Sequence, residues 1–479
     1  MTSLGPLLRR QLARFPAALR AELAAVPSAL RESAARAIAY RPTRWAVLQA
    51  LLVVISVALF AWGAHHHGER INRSYKPKDQ HPYMGLGRDI AESRRIQVDG
   101  ARPPLYPTIL ALAYDPALSK DEWFERCKRV GIGATLLGWV ALLFVLRRRL
   151  RPLSALVVWW ALGFTVLMFY APYVKAEGVF YVLALSSFLL TLEAIHRPNW
   201  PNAVAAGIVT GLAQLAKESM LPQVLLFAAV QALVIAVAWL RGRKRPPERR
   251  PRRVLWRRAL SVPVLVAVFL LTIYPHLRVN KKVFGHHFYN VNSNFYIWYD
   301  SWGQVVRGTR AHGDRKGWPD MPPEKLPSAR KYWETHTGEQ MIARVERGAK
   351  GIVENSIASH GFYDYVCIAL ASAAVAIAAA RRARRFLLRH WGITLFGVGY
   401  LVGYFLLCTW FYAIHPGVRF VVMLVGPTLF MGAWLSDQSR SLRWFGVLGV
   451  WVIAAGASIL LDVPILLTRT IETAKAAGW

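Results

Sequence analysis

Long apolar segments recur along the whole chain and alternate with shorter polar ones. Most are roughly 15 to 25 residues long, which is the length that a helix needs to cross the hydrocarbon core of a membrane. A helix suits that environment because it pairs its backbone polar groups within its own segment. The pattern predicts an all-α polytopic membrane protein with about 11 transmembrane helices. The apolar segments begin near Trp45, Val130, Leu153, Val179, Ala203, Leu221, Ala259, Phe362, Gly392, Phe420 and Phe445.

Composition and charge favour the same class. The 479 residues are 54% hydrophobic and only 18% charged, and the formal net charge is +33. A soluble protein seldom has so much apolar residue, and in a lipid-embedded chain an excess of Lys and Arg marks loops on the anionic cytoplasmic leaflet rather than nucleic-acid binding. The three cysteines show no paired spacing, so neither a disulfide framework nor a CxxC metal site is predicted.

Arginine clusters predict the orientation. They fall at alternate ends of the apolar segments, as the positive-inside rule requires of a single topology with a cytoplasmic N-terminus. The loops between the other ends then face outward. The clusters lie within residues 1–44, 147–151, 241–258, 381–389 and 440–443.

This orientation divides the chain into four parts. Residues 1–44 are an amphipathic, Arg-rich cytoplasmic leader. Residues 45–277 form an N-terminal transmembrane catalytic module, whose first outward loop is 65–129. Residues 278–361 form a long outward loop with short helices, and residues 362–479 form the C-terminal transmembrane helices. The outward loops hold most of the polar residues outside the spans, so we expect the chemistry there.

The first outward loop carries the most informative residues. Asp79 follows the first span, Tyr83 comes next, and the turn Arg102-Pro-Pro-Leu-Tyr106-Pro lies further along. An ionised Asp can accept the proton of an attacking hydroxyl or amine. Arg offers a departing phosphate a planar pair of charged hydrogen bonds. The two side chains together suit group transfer from a lipid phosphate, whereas no GxGxxG or P-loop motif supports a nucleotide-dependent reaction.

In these residues the chain resembles the membrane-embedded GT-C glycosyltransferases, in particular the branch of protein O-mannosyltransferases and lipid A aminoarabinose transferases. In that family an Asp, usually followed by Glu, opens the first outward loop, and a Tyr and an R/K-P-L-Y-like turn follow. Two further segments are similar to family motifs: the link 173–177 to a second acidic loop, and His415-Pro-Gly-Val-Arg419-Phe to a late R-[FY] motif.

The resemblance implies an inverting transfer of a sugar from a polyprenyl-phosphate donor to a lipid, glycan or protein acceptor, at the periplasmic face of a bacterial inner membrane. It implies that Asp79 is the general base and that Arg102 binds the lipid phosphate. The expected partners are the donor lipid, an unidentified acceptor and membrane lipids, without nucleic acid. The other residues implied at the substrates are Tyr83, Tyr106, Lys175, Glu177, His415 and Arg419.

One position departs from the family pattern. Gln80 stands where the family usually has Glu. Hard divalent cations prefer several anionic oxygens, so a metal site built on adjacent carboxylates would be one ligand short here. We therefore expect a metal-independent reaction without a cofactor, and a divalent metal is the less favoured alternative.

Each candidate residue has a plain structural alternative. Asp79 can be a solvated loop carboxylate held by Lys76 or Lys78, and such exposed pairs contribute little. Arg102 can be an interfacial arginine whose stem lies along apolar surface. The remaining alternatives are a Lys175–Glu177 surface pair, the same ambiguity at Lys217 and Glu218, and lipid headgroup binding by Arg419.

Two other functions remain open. A lipid-linked-sugar transporter or flippase would show repeats and charges at mid-membrane depth, whereas the charges here lie mainly at the outer ends of the spans. An O-antigen ligase or polymerase would use pyrophosphate-linked glycans and basic residues in a long outward loop. The basic residues of the long loop that keep this alternative open are Arg307, Arg310, Arg315 and Arg330.

Overall fold

The computed structural model describes residues 44–76, 79–243, 252–358, 362–415 and 417–438. Within these ranges the regular structure is helical, and no strand occurs. Contacts divide the chain into two units, residues 1–56 and residues 57–479, and every contact discussed below lies within the second. The predicted span near Phe445 and the arginines at 440–443 lie outside the described residues, as does the predicted leader up to residue 43.

The α-helices of seven or more residues carry the fold, and a 3-10 helix, Val418–Leu424, leads directly into the last of them. A π-helical turn at Gly163–Leu167 lies within the fifth of these helices, which continues beyond it. In chain order these helices are α1 Arg44–Ile71, α2 Gln80–Ser93, α3 Leu105–Ala111, α4 Lys120–Arg147, α5 Pro152–Tyr170, α6 Glu177–His196, α7 Trp200–Ala216, α8 Leu221–Arg243, α9 Arg252–Phe284, α10 Ala329–Thr335, α11 Gly338–Ala358, α12 Phe362–Ala379, α13 Arg381–Arg389, α14 Trp391–Phe411 and α15 Val425–Ser436.

Eight helices of the described chain are long and apolar enough to cross a membrane. The segment Tyr365–Ala379 with Arg381–Arg389 becomes a ninth if this pair, bent by 98°, counts as one span. The chain is therefore a multi-pass membrane protein. The predicted count of about 11 is not confirmed. The run near Ala203 forms α7, whose 17 residues extend only about 25 Å and fall short of a full crossing.

Helix α7 packs closely between α6 and α9. Two glycines one turn apart, Gly207 and Gly211, face α9 at a distance that excludes a larger residue. A Cβ on Gly207 would lie 2.9 Å from the backbone oxygen of Leu265, and one on Gly211 would lie 2.6 Å from the Cβ of Thr272. Such small residues let helix backbones approach each other. This contact fixes the end of α7 beside the last turns of α9.

Several helices extend beyond the apolar segments that predict them. Helix α1 continues to Ile71, where a pair between His65 and Glu69 at 3.1 Å supports its last turns. Helix α4 begins at Lys120 because Ser119 and Glu122 form a capping box. The predicted first loop therefore shortens to the part between α1 and α4, and this part contains α2 and α3.

Arg344 on α11 fastens the long segment after α9 to the end of α14. Its guanidinium donates to Asp300 Oδ1 and the Tyr332 hydroxyl, both at 3.0 Å, and to the carbonyl of Ile297 at 3.2 Å. Its Nε donates to the carbonyl of Trp410 at 3.1 Å, and the group lies 4.4 Å from the centre of that indole ring. Arg344 is only 3% exposed. One buried cation thus orders a segment that has little regular structure.

Candidate functional site

A cavity of about 640 Å³ lies where the first loop, the α7–α8 link, α9, the long segment and the end of α14 meet. Its wall combines apolar side chains with an unusual concentration of charge. The titratable and amide side chains discussed below that line it are Asp79, Tyr83, Arg102, Glu177, Lys217, Glu218, His276, Asn280, Arg310, Arg315, His415 and Arg419.

Asp79 lies between two arginines. Arg102 donates to its Oδ1 at 2.7 Å, and Arg419 donates to its Oδ2 at 3.0 Å. Burial alone would raise the pKa of Asp79, but the two guanidinium groups outweigh burial and hold the pKa well below its usual range. Asp79 is therefore an ionised carboxylate at neutral pH. We call Arg102 and Arg419 the arginine pair.

Arg102 is fixed from behind by Asp99. Asp99 Oδ2 accepts from the Arg102 guanidinium, and its Oδ1 accepts from the backbone N–H groups of Ala101 and Arg102 at 3.0 and 2.8 Å. The guanidinium lies 5.6 Å from the centre of the Tyr83 ring. Burial by itself lowers the pKa of Arg102, but Asp99 and Asp79 raise it above its ordinary value. The guanidinium is thus rigidly placed, with its side chain only 10% exposed.

Arg419 connects Asp79 to a second carboxylate. Its Nη1 lies 3.8 Å from Glu177 Oε1, which also lies 3.3 Å from Lys217 Nζ. Its Nη2 donates to His415 Nε2 at 2.7 Å, so the His415 imidazole accepts and its proton sits on Nδ1. The result is a chain of alternating charges along the cavity wall. Glu177 therefore has Arg419 and Lys217 as its ion-pair partners, and Asp79 has the arginine pair.

The structure brings most of the predicted residues to the cavity, but two of them do not line it. Tyr106 is 1% exposed and packs edge-on against Tyr83, at 5.5 Å between ring centres. Lys175 lies over the ring of Tyr173, with its Nζ 5.3 Å from the ring centre, and burial lowers its pKa. Neither lines the cavity. Tyr106 supports Tyr83, and the lysine that forms an ion pair with Glu177 is Lys217 rather than Lys175.

Comparisons with known proteins identify the fold that carries this cavity. No family model matches the sequence, and no curated protein matches it. The apo oligosaccharyltransferase of Archaeoglobus fulgidus superposes with a TM-score of 0.51 at 13% identity, covering 87% of this chain and 55% of that one. AglB from the same organism, in complex with an inhibitory peptide and a dolichol-phosphate, gives a TM-score of 0.52 at 12% identity, covering 89% and 56%. The chain adopts the GT-C fold.

The extent of the likeness is partial. The chain spans about half the length of the oligosaccharyltransferase structures, at 55% and 56%. ArnT from Cupriavidus metallidurans bound to undecaprenyl phosphate also matches, at 16% identity over 82% of this chain and 77% of that one, with a TM-score of 0.31. The two oligosaccharyltransferase structures confirm the predicted GT-C architecture at the level of the fold.

Gln80 has a structural role in this GT-C fold. Its amide donates to Asn72 Oδ1 at 2.8 Å and to the carbonyl of Ser74 at 3.0 Å. Its oxygen accepts from Asn72 Nδ2 at 2.8 Å and from the backbone N–H of Val174 at 2.9 Å. The side chain is 2% exposed and every hydrogen-bonding position is used. A carboxylate could not make the two donor contacts. The amide thus joins the start of α2 to the residues that follow α1 and to the 173–177 segment.

Sequence reasoning missed several residues of the cavity wall. Asp99 has a signal in the sequence, because an Asp at the start of a turn is typical of an Asx turn. In such a turn its carboxylate accepts from the backbone N–H groups two and three residues later. His276 and Asn280 are one helical turn apart near the end of a long apolar segment, and ionisable or polar groups at such a place are functional candidates. Among the residues that the structure describes, no group of three or more His, Cys, Asp or Glu is arranged to hold a metal ion.

His415 predicts a pH dependence. Burial, and then the charge of Arg419, lower the pKa of His415 from its ordinary 6.5 to about 4. The unfolded chain therefore binds a proton between pH 6.5 and 4 that the folded chain does not, so stability falls as the pH falls through that window. We expect the melting temperature of the purified protein to decrease there, and the decrease to be smaller in His415→Gln.

The matched control is His312→Gln, because His312 is exposed on the long segment. Its melting curve should keep the pH dependence of the unaltered protein. Parallel curves for the unaltered protein and His415→Gln between pH 6.5 and 4 would contradict the assignment of a neutral, accepting imidazole at His415.

Proposed function

We propose that the chain is an integral-membrane glycosyltransferase that moves a sugar from a polyprenyl-phosphate donor to an acceptor with inversion at the anomeric carbon. The observation that carries this proposal is the carboxylate of Asp79 held between Arg102 and Arg419 at the wall of a large cavity. The GT-C fold supports it, as does the dolichol-phosphate bound to AglB, a protein of the same fold.

The arginine pair is suited to bind the phosphate of the donor. A guanidinium donates two parallel, charged hydrogen bonds to phosphate oxygens as readily as to a carboxylate. Lys217, 3.3 Å from Glu177, adds a third cation beside the pair. An incoming phosphate therefore competes with Asp79 for the same donors. Asp79 occupies the anion site while the donor is absent, which satisfies two cations that are costly to leave unpaired.

This exchange resolves a difficulty with Asp79 as a base. A carboxylate whose pKa lies far below its usual range is a weak base. Once the phosphate draws the arginine pair away, the pKa of Asp79 returns toward its ordinary value because the attraction of both guanidinium groups is lost. The donor itself thus activates the residue that must accept the proton.

The transfer is then a single displacement. A lone pair of the acceptor oxygen or nitrogen attacks the anomeric carbon and forms the new glycosidic bond. The bond from that carbon to the phosphate oxygen breaks, and its electron pair leaves with the lipid phosphate, where the arginine pair stabilises the charge. The acceptor proton passes to Asp79. One displacement inverts the configuration at the anomeric carbon.

The helices that carry the site also support the proposed orientation, with the cavity at the periplasmic face of a bacterial inner membrane. Helix α6 begins at Glu177 in the cavity, and Glu193 near its other end pairs with Arg149. Helix α14 ends at Phe411, also in the cavity wall, and is preceded by the arginine-rich helix α13. Arginine clusters thus lie about 30 Å from the cavity, as the positive-inside rule requires of the cytoplasmic face.

One observation favours a second candidate. Arg310 and Arg315 of the long segment line the same cavity. Two further cations there would suit a second phosphate, as in an O-antigen ligase or polymerase that takes a pyrophosphate-linked glycan. Mass spectrometry of the lipid that co-purifies with the protein distinguishes the two donors, since a pyrophosphate-linked glycan has a different mass and fragmentation.

Asp79→Asn should separate chemistry from binding. The amide cannot accept the acceptor's proton, so transfer in nanodiscs should fall by about 10²-fold or more. Donor binding should persist, because the arginine pair loses its competitor, whereas Arg102→Ala should lose the bound lipid. Transfer is measured with a labelled donor, and retained lipid by mass spectrometry.

Asp89→Asn is the matched control. Asp89 lies on α2 and forms an exposed pair with the neighbouring Arg88, outside the cavity. Its activity should equal that of the unaltered protein. Full transfer by Asp79→Asn, with correct folding shown by gel filtration, would exclude Asp79 as the base.

We also propose that the transfer needs no metal. Of the three carboxylates in the described cavity wall, Asp79 and Glu177 are bonded to cationic side chains and Glu218 is bonded to His276. Gln80 offers no anionic oxygen. Incubation with EDTA should leave the transfer rate unchanged, and added Mg²⁺ or Mn²⁺ should not increase it. A loss of activity in EDTA that is restored by one of these ions would show a metal requirement.

A further inference from the structure

A second polar cluster lies in the cavity, apart from the arginine pair. It consists of Glu218 on the α7–α8 link and His276 and Asn280 on α9, and we call it the Glu218 cluster. His276 Nε2 lies 2.6 Å from Glu218 Oε1. Asn280 Nδ2 donates to the carbonyl of Tyr289 at 3.2 Å. All three side chains line the cavity, and His276 and Asn280 are 5% and 1% exposed.

The backbone explains how one short link supplies side chains to both polar clusters of the cavity. Lys217 ends α7 in an extended conformation, with φ −155° and ψ 123°. Consecutive side chains of an extended backbone point in opposite directions. Lys217 therefore turns to Glu177 at 3.3 Å, whereas Glu218 turns to His276. The link is held in place because the Tyr404 hydroxyl donates to the carbonyl of Ser219 at 2.7 Å.

Glu218 differs in its partners from the other carboxylates of the described cavity wall. Asp79 is bonded to the arginine pair, and Glu177 to Lys217 and Arg419. Glu218 has neither an Arg nor a Lys partner among the described residues, and its Oε1 is held by an imidazole. Its Oε2 has no partner in the described chain, and it belongs to a residue that lines the cavity. A phosphate is repelled here, whereas a group that donates hydrogen bonds is attracted.

Unused acceptors lie in the same cluster. His276 Nδ1 and Asn280 Oδ1 are buried and have no hydrogen-bond partner in the structure. Buried acceptors without partners are rare, and a site that binds hydroxyl groups is one place where they occur. The adjoining apolar side chains, Ile273, Leu277 and Phe288, suit the carbon face of a sugar ring.

We infer that the Glu218 cluster binds the hydroxyl groups of the glycosyl unit carried by the donor, with Glu218 as the contacting residue and His276 as the residue that positions it. This inference rests on the proposed function. The cavity is then polarised: the arginine pair takes the phosphate, and the Glu218 cluster takes the sugar that is attached to it. The cluster selects among sugars and takes no part in the displacement.

The test compares two lipids on the full chain in nanodiscs. Native mass spectrometry measures the affinity for undecaprenyl phosphate and for undecaprenyl phosphate carrying glucose or mannose. The unaltered protein should bind at least one glycosylated lipid about tenfold more tightly than the bare lipid, as two or three hydrogen bonds allow. Glu218→Ala should abolish this preference and leave the affinity for the bare lipid unchanged, whereas Arg102→Ala should weaken binding of both.

Two more variants separate contact from positioning. Glu218→Gln keeps the shape of the side chain but loses the charge, and should retain part of the preference. His276→Phe frees Glu218 from its partner and should reduce the preference without affecting the bare lipid. Tyr274→Phe is the control, since Tyr274 lies on α9 but is 55% exposed and outside the cavity wall.

The outcomes distinguish this inference from the proposed function. If the unaltered protein binds neither lipid, the proposed function fails and the inference fails with it. If it binds the bare lipid but prefers no glycosylated one, or if Glu218→Ala leaves the preference intact or weakens both lipids equally, the sugar-binding role is overturned alone. If Glu218→Ala raised the KM for the acceptor and left donor binding unchanged, the sugar-binding role would also be overturned.

Discussion

The site depends on one carboxylate shared by two guanidinium groups. Asp79 contributes a single negative charge, and each of its oxygens accepts from a different arginine, 23 and 340 positions away in the chain. Charges in a partly buried wall are costly unless each has a partner, so the position of Asp79 fixes Arg102 and Arg419 as well. Asp99 and Glu177 extend the same requirement outward, because each forms an ion pair with one arginine of the pair.

The fold serves this network by holding its components from outside the cavity. Gln80 uses all of its hydrogen-bonding capacity to keep the start of α2 against the 173–177 segment. Gly207 and Gly211 bring α7 close to α9, so that the α7–α8 link lies in the cavity wall. Arg344 orders the long segment that forms part of the cavity wall. Each of these contacts lies away from the reacting groups, yet each determines where they stand.

The order of motifs in the sequence predicted which charged residues lie together better than it predicted where their neighbours lie. Asp79, Arg102 and Arg419 are recognisable because the membrane limits where charged side chains occur. Tyr106 belongs to the same turn as Arg102, but the start of α3 between them directs its ring into the core, and a sequence does not show that direction. Likewise, the sequence shows only that Gln80 stands in place of a carboxylate, and does not show the hydrogen bonds that its amide makes. Apolar periodicity also cannot distinguish the short, packed α7 from a full span, because lipid-facing and buried helices are both apolar.

The most direct test is a cryo-EM structure of the full chain with undecaprenyl phosphate in nanodiscs. The account predicts that the phosphate lies between Arg102 and Arg419, within hydrogen-bonding distance of both, and that Asp79 has moved away from at least one of them. A phosphate bound elsewhere in the cavity, with Asp79 still bonded to both arginines, would contradict the proposed exchange and with it the role of Asp79 as a base activated by the donor.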